Sequence, residues 1–413
     1  MDGNKKDGNK EEGTVKSVNT LAKEMARKLI MQYVDDDVVA KVKSAKSSVR
    51  TRPPPDFKSQ SLNARPTVTQ WKLLDTILEE ILVLISPIEG DSAMRKAIII
   101  QLRDLLRSVE GLRSLSVELY GSFVSELYTK WSDMDISVLT IHPTDIDETQ
   151  HVLRQIYDAM RKDKSGFWYS TELICGARVP IVKGLCKHHQ DTSFDVSVNN
   201  VKGILKSKFF LWISRIDIRF RPLVLIVKKW AQVHNINSSK DGTLNSYSLC
   251  LLVIFHLQTC WPAILPPLQQ IYPRNASDDL KGVRSEAEKK IQKIADANIA
   301  RLRSGSKNTS SISDLLLSFF EKFSDITVKA TNLGVCTWTG KWENINDNMR
   351  WVLPRKVQLF VEDPFDQPEN AARSVSQLDK IADVFKKSSR SLASANDRDA
   401  IVRLLAGHTS QYQ

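Results

Sequence analysis

Past residue 66 the apolar positions of this chain change period twice. From Val68 to about Val109 they recur at helical spacing, with Leu73, Ile77, Ile81 and Leu84 on one face, then Ile98, Leu102 and Leu105 on the next. From Leu112 to about Asn200 the period shortens to two. Trp131-Ser132-Asp133-Met134-Asp135-Ile136-Ser137 puts Met134 and Ile136 on one face of a strand and Asp133 and Asp135 on the other. Phe194-Asp195-Val196-Ser197-Val198 alternates in the same way, after a second strand candidate over Arg178-Val179-Pro180-Ile181-Val182-Lys183. Beyond 205 the pattern is mostly helical again, through Leu223 to Val233, Tyr247 to Thr259, the charged stretch Ser285 to Ile299, and Asp314 to Phe323. These periods predict an α+β fold, a mixed sheet inserted into a mainly helical domain.

The flanks read differently. Residues 1–65 are rich in Lys, Asn, Ser and Gly and close on Pro53-Pro54-Pro55, a stiff linker; they are expected to be a disordered basic extension. Within them Leu21, Met25, Leu29 and Tyr33 have helical spacing that predicts only a marginal helix. The expected domains are a helical segment over 66–110 packing on the central domain, a sheet domain over 111–204, a helical domain over 205–373, and a polar C-terminal tail over 374–413.

Composition narrows the function classes. The chain has 413 residues, 42% of them hydrophobic, enough for two or three domains with real cores. A net charge of +11 predicts an anionic partner without separating RNA from DNA or an acidic membrane face. Five cysteines without a Cys-x-x-Cys pair fit a reducing compartment. The polar start, with Asp7, Glu11 and Glu12, lacks a signal core and argues against a transit peptide. No apolar run is long enough to span a bilayer, which leaves cytoplasm or nucleus as the expected location and no membrane partner. Lys41, Lys43, Lys46, Arg50 and Arg52 read more simply as a solvated linker than as a nuclear signal.

The candidate chemistry lies in the strand block. Gly121-Ser122 offers backbone N–H groups and a hydroxyl to a phosphate, and Gly121 lets the backbone approach closely. About ten residues later come Asp133 and Asp135, and a mixed or antiparallel sheet brings Asp195 beside them. Three carboxylates suit Mg²⁺ (or Mn²⁺), hard cations that keep positions open for water and phosphate oxygens. In two-metal chemistry one ion activates the attacking hydroxyl while the other steadies the leaving oxygen. Asp133, Asp135 and Asp195 are therefore the expected metal ligands and catalytic residues, set up for phosphoryl or nucleotidyl transfer. Cys175, Cys186, His188 and His189 match no common zinc spacing, and His234 and His256 sit in apolar helices as core residues. Lys202, Lys206, Lys208, Arg215, Arg219 and Arg221 form a basic surface that could track single-stranded RNA or simply solvate a helix.

Gly-Ser, a ten-residue gap, apolar-Asp-apolar-Asp and a distant Asp together resemble the DNA-polymerase-beta-like nucleotidyltransferases. Gly242-Thr243-Leu244-Asn245-Ser246-Tyr247-Ser248-Leu249 and Val361-Glu362-Asp363-Pro364-Phe365-Asp366 are similar to the nucleotide-recognition segments of template-independent poly(A) and poly(U) polymerases. Phe209-Phe210-Leu211-Trp212-Ile213, Pro262-Ala263-Ile264-Leu265-Pro266-Pro267-Leu268 and the run Glu362 to Arg373 resemble plant terminal uridylyltransferases that tail small RNAs lacking a terminal 2′-O-methyl group. The resemblance runs from about Gly111 to Val375. It implies a nucleotidyltransferase palm beside a poly(A)-polymerase-associated helical domain, with the nucleotide in the cleft between them. The implied activity is addition of UMP from UTP to an RNA 3′-hydroxyl, promoting decay. The implied partners are RNA and a small-RNA-loaded Argonaute, and the enzyme is expected to be a monomer.

By the same resemblance Ser122 and Lys228 hold the triphosphate, Ser207 meets the ribose, and Ser246 and Tyr247 stack the base. Asp366 and Glu369 belong to the base-reading loop. Two positions depart from the family pattern. Gln232 stands where a second triphosphate lysine is common, and Lys206 where an amide precedes the ribose hydroxyl. Glu369 replaces the histidine of some uridylyl-specific relatives, and a carboxylate accepts equally from uracil N3–H or the adenine amine. A poly(A) polymerase on the same scaffold, or an inactive RNA-binding scaffold, are the rival readings.

Overall fold

Hydrophobic periodicity and observed elements agree through most of the chain in a computed structural model, which describes residues 66–407 except 143, 188–191, 275–283, 303–306, 352–356 and 367–368. The expectations for residues 1–65, and for His188 and His189, lie outside the described residues. Two helices come first, α1 (Val68–Ile85) and α2 (Glu89–Ser108). Thr67 caps α1 in a capping box with Gln70, so the chain enters the helix with its first N–H groups satisfied. The buried stripe of α1 is Leu74, Ile77, Leu78, Ile81 and Ile85. The face expected from Leu73 and Leu84 is thus rotated, and these two are only half-buried.

The sheet domain follows: β1 (Ser116–Tyr120), the single-turn α3 (Gly121–Val124), β2 (Met134–Leu139), α4 (Ile146–Lys162), β3 (Trp168–Ile174), β4 (Ile181–Cys186) and β5 (Thr192–Val198). The strand order is β1-β2-β5-β4-β3, with β2 and β5 parallel and the other neighbours antiparallel. The sheet is mixed, as the alternation required. The second strand begins later than expected from Arg178, because Pro180 has no N–H for a ladder and residues 175–180 serve as the turn instead. One face of the sheet buries Met134, Ile136, Val182, Phe194 and Val196 under α4 and α2, whose Ile98, Leu102 and Leu106 share that core. The segment 66–110 is therefore split. Its first helix packs in the helical core and its second packs on the sheet, so the expectation that all of it packs on the central domain is corrected.

The helical part comprises α5 (Val201–Ser214), α6 (Phe220–Val233), α7 (Ser246–Thr259), α8 (Leu268–Ile271), α9 (Arg284–Leu302), α10 (Ile312–Phe323) and α11 (Ile326–Lys329). A small hairpin, β6 (Leu333–Cys336) with β7 (Lys341–Asn344), interrupts the helices and was not foreseen. α7 is apolar all round because it runs through the centre of this core, burying Leu249 to Leu257 without a gap. His256 is fully buried there, in ring contact with Phe319.

The polar tail expected over 374–413 is the clearest correction. It holds α12 (Leu378–Ser394) and α13 (Arg398–Ala406), and Leu378, Ile381, Phe385, Leu392, Ile401, Val402 and Leu405 belong to the main core. Inside α12 the buried face includes Ser388, whose hydroxyl accepts the Trp230 indole N–H at 2.8 Å. Polar composition hid an amphipathic helix whose buried face is partly serine. Among the described residues no helix is long and apolar enough to cross a membrane.

Candidate active site

Parallel pairing of β2 and β5 sets the site. The register places Asp135 directly beside Asp195, and Tyr120 at the end of β1 beside Asp135. Asp133 lies one residue before β2, at the mouth of the same edge. The chain leaves β1 through Gly121, whose φ of +71° sends it at once into α3. That bend is possible only without a side chain: a Cβ on Gly121 would lie 1.8 Å from Asp135 Oδ2. The Ser122 backbone N–H bonds the Asp135 carboxylate, so the Gly-Ser turn and the strand acid form one unit. Burial first, and then the charges of Asp195 and Asp133, push the Asp135 carboxyl up to about 7. The Asp195 carboxyl is also raised, mainly by burial, against the opposing pull of Lys183.

An all-oxygen donor set carrying this much mutual repulsion fits a hard divalent cation. Among the described residues, however, no group of acidic, His or Cys side chains closes on a single metal position. Both oxygens of Asp133 have partners within the protein. One of its oxygens accepts from the Ser193 hydroxyl, and the other faces the Lys183 ammonium at 3.6 Å. Lys183 also reaches Asp195 at 3.3 Å. Neither Lys183 nor Ser193 was singled out in the sequence. The signal available was the position of Lys183 in the second strand candidate, whose pairing partner only the register reveals.

The remaining expected residues fall into two groups around this edge. Lys228 is half-buried in α6, donates to the Leu127 carbonyl at 2.9 Å, and feels the charges of Asp135 and Asp133. Burial lowers its pKa. Lys229 turns outward over the Trp131 ring at 4.9 Å, opposite in role to its neighbour. Ser207 is 4% exposed, and its hydroxyl accepts the Gly121 N–H at 2.6 Å while donating to the Gly203 carbonyl at 2.7 Å. In this state the hydroxyl braces the Gly-Ser turn against α5.

The second group is the base-side cluster. The Tyr247 hydroxyl donates to Asp363 Oδ1 at 2.8 Å, and its ring lies 5.6 Å from Phe210. Lys206 pairs with the other Asp363 oxygen at 2.5 Å, with its ammonium 4.9 Å from the centre of the Tyr247 ring. The position where relatives carry an amide thus holds an ammonium wedged between tyrosine and carboxylate. Ser246 is exposed and hydrogen-bonds Asn237. Asp366 and Glu369 are not free loop acids. Arg178, from the β3–β4 connection, lies 3.3 Å from Asp366 and 3.2 Å from Glu369, and Lys202 lies 2.6 Å from Asp366. Behind the loop the fully buried Glu362 accepts from the Cys336 thiol and the Trp351 indole, fixing the strand-like bridge that precedes Asp363.

Comparison with known proteins agrees with this geometry. Residues 74–215 match the family model described as poly(A) RNA polymerase, mitochondrial-like, central palm domain. Protein HESO1 of Arabidopsis thaliana is 53% identical over 348 residues, covering 82% of this chain and 67% of that protein. Poly(A) RNA polymerase GLD2 of Bos taurus is 30% identical over 370 residues, covering 85% of this chain and 72% of that protein. Among solved structures, the Cid1 poly(U) polymerase with MgGTP bound has a TM-score of 0.65 at 24% identity, covering 82% of this chain and 99% of that one. mtPAP in complex with UTP has a TM-score of 0.64 at 22% identity, covering 87% of this chain and 76% of that one.

Proposed function

From the premise that the chain belongs to the template-independent RNA nucleotidyltransferases, the family of HESO1 and GLD2, we propose that it is a terminal uridylyltransferase. It adds UMP from UTP to the free 3′-hydroxyl of small RNAs that lack a terminal 2′-O-methyl group. The observation that carries the transfer chemistry is the β2–β5 register, which sets Asp135 beside Asp195 with Asp133 and the Gly121-Ser122 turn at the same edge. The likeness to a poly(U) polymerase and to a cytoplasmic RNA terminal U-transferase supports UTP as the donor.

In this reading Asp133, Asp135 and Asp195 would hold Mg²⁺ or Mn²⁺, which when bound would supply charge neutralisation at the α-phosphate and lower the pKa of the attacking hydroxyl. Everything else is positioning. Ser122 and Lys228 orient the triphosphate, and the Tyr247 ring, beside the exposed Ser246, stacks the base at about 1–3 kcal/mol, whichever base it is. Discrimination between bases falls to Lys206 and the loop of Asp366 and Glu369. A methyl on the terminal 2′-oxygen crowds the neighbouring attacking oxygen, and a small RNA presented by an Argonaute offers the free end the enzyme needs.

A short RNA with a free 3′-hydroxyl, Mg²⁺ and each nucleoside triphosphate in turn test the reading. UTP is expected to support extension, and Asp133→Ala with Asp135→Ala to abolish it while RNA binding persists. Preferential use of ATP would transfer the chain to the poly(A) polymerases, the activity named for its GLD2 relatives. Tailing that survived the double substitution would remove the carboxylates from the chemistry.

A further inference from the structure

The carboxylate edge already contains a cation. Lys183 stands on β4 directly across from Asp195 on β5, and its Nζ bridges Asp195 Oδ1 at 3.3 Å and Asp133 Oδ2 at 3.6 Å. One acid just precedes β2 and the other lies on β5, and they share this one ammonium. Asp133 accepts on its other oxygen from the Ser193 hydroxyl, so both of its oxygens are engaged by groups other than a metal ion. The Lys183 side chain is 43% exposed, which leaves its long stem free to swing into solvent without opening the core.

Building on the assignment of the three carboxylates as metal ligands, we propose that Lys183 is a resident counter-ion of the nucleotide-free enzyme. It balances the charge of Asp133 and Asp195 and, with Ser193, keeps both Asp133 oxygens occupied. A divalent cation can be gripped by all three acids only after the ammonium leaves. Lys183 is therefore a positioning residue that keeps metal affinity low until a triphosphate brings further oxygen ligands, so that metal and nucleotide load together. Metal binding must break these two partly exposed ion pairs and leave a tethered ammonium near a divalent charge, together worth on the order of tenfold in metal affinity.

The test is Mn²⁺ binding to the full chain without nucleotide or RNA, followed by the electron paramagnetic resonance signal of free Mn²⁺. Lys183→Met and Lys183→Gln are both expected to bind Mn²⁺ about tenfold more tightly than the unaltered protein, and Lys183→Arg to match it. Thermal unfolding confirms which variants are folded. Lys240, whose charge acts on Asp195 less than those of Lys183 and Asp133, supplies the control for net charge, and Lys240→Met is expected to change affinity by less than about twofold. Equal or weaker Mn²⁺ binding by both neutral Lys183 variants overturns the proposal, as does the same tightening in Lys240→Met. Asp195→Asn separates the two levels of inference. If it abolishes binding while the Lys183 variants change nothing, only the counter-ion role fails. If it leaves binding untouched, the metal-ligand reading fails and takes the proposal with it.

Discussion

Gly121→Ala is the smallest change that tests whether the Gly-Ser turn and Asp135 act as one unit. The glycine has φ of +71°, and an alanine there pays the left-handed penalty of about 1–2 kcal/mol. Strain is the lesser effect. The new Cβ would sit 1.8 Å from Asp135 Oδ2 and 2.5 Å from its Cγ, where side chains do not approach below 3.0 Å. Either the carboxylate or the turn must therefore move by about 1.2 Å. Misplacing a reacting group by about 1 Å costs on the order of 10²-fold in rate, so kcat for single-nucleotide extension is expected to fall by at least that factor. Gly166 provides the control that isolates strain. Its φ of +69° is nearly the same, but a Cβ there meets nothing within 4 Å. Gly166→Ala should lose about 1–2 kcal/mol of stability in urea unfolding and keep its kcat. The assay is extension of a labelled RNA under saturating UTP. A Gly121→Ala enzyme with kcat within threefold of the unaltered one would refute the argument that the turn has no room.

Two further expectations concern stability. Lys322 is largely buried in α10, bonded to Thr259 Oγ1 at 2.5 Å, and its pKa is lowered to about 8, chiefly by burial. A depressed lysine costs stability while it is charged in the fold, so the cost is present below about pH 8 and is relieved as pH rises toward the unfolded value near 10.5. Lys322→Met should therefore raise stability by about 1–3 kcal/mol at pH 7, an advantage that shrinks between pH 8 and 10.5 in paired urea titrations; a pH-independent difference would contradict the burial argument. Leu405 is fully buried in α13, and the neighbouring Leu404 carbonyl bonds His234 at the end of α6 at 2.9 Å. Leu405→Ala should cost about 2–5 kcal/mol in urea unfolding, whereas a loss under 0.5 kcal/mol would mean that the C-terminal helices do not contribute to the core.

The elements that were legible in the sequence are those whose burial is carried by large apolar residues at a single period. The alternation around Asp133, Asp135 and Asp195 predicted strands and a mixed sheet because Met134, Ile136, Phe194 and Val196 all face the same core. The C-terminal helices were hidden for the opposite reason. In α12 the buried face runs Leu378, Ile381, Phe385, Ser388, Ser389 and Leu392, and two serines in the middle break the apolar stripe. Ser388 serves there as the acceptor for the Trp230 N–H, a requirement set by a residue more than 150 positions away. Division of the 66–110 segment between two cores was hidden as well. Both of its helices are amphipathic, and an apolar face does not say which partner it meets.

Charge pairing was the least legible layer, and it changes how the base-side loop is read. Sequence placed Asp366 and Glu369 together as nucleotide readers, but their surroundings divide the work. Asp366 is 13% exposed and lies between two cations, Arg178 and Lys202, one from the sheet domain and one from α5. Holding a carboxylate from both sides makes it an anchor between the β3–β4 connection and α5. Glu369 is 40% exposed and shares Arg178 alone. An ion pair that open contributes about 0–1 kcal/mol, less than the roughly 1.5–3 kcal/mol of a hydrogen bond to a charged group in a closed site. A base offering an N–H can therefore draw Glu369 away from Arg178, while Asp366 keeps the loop in place. In the proposed function, base reading then falls to Glu369, beside an Asp366 that is tied to Arg178 and Lys202.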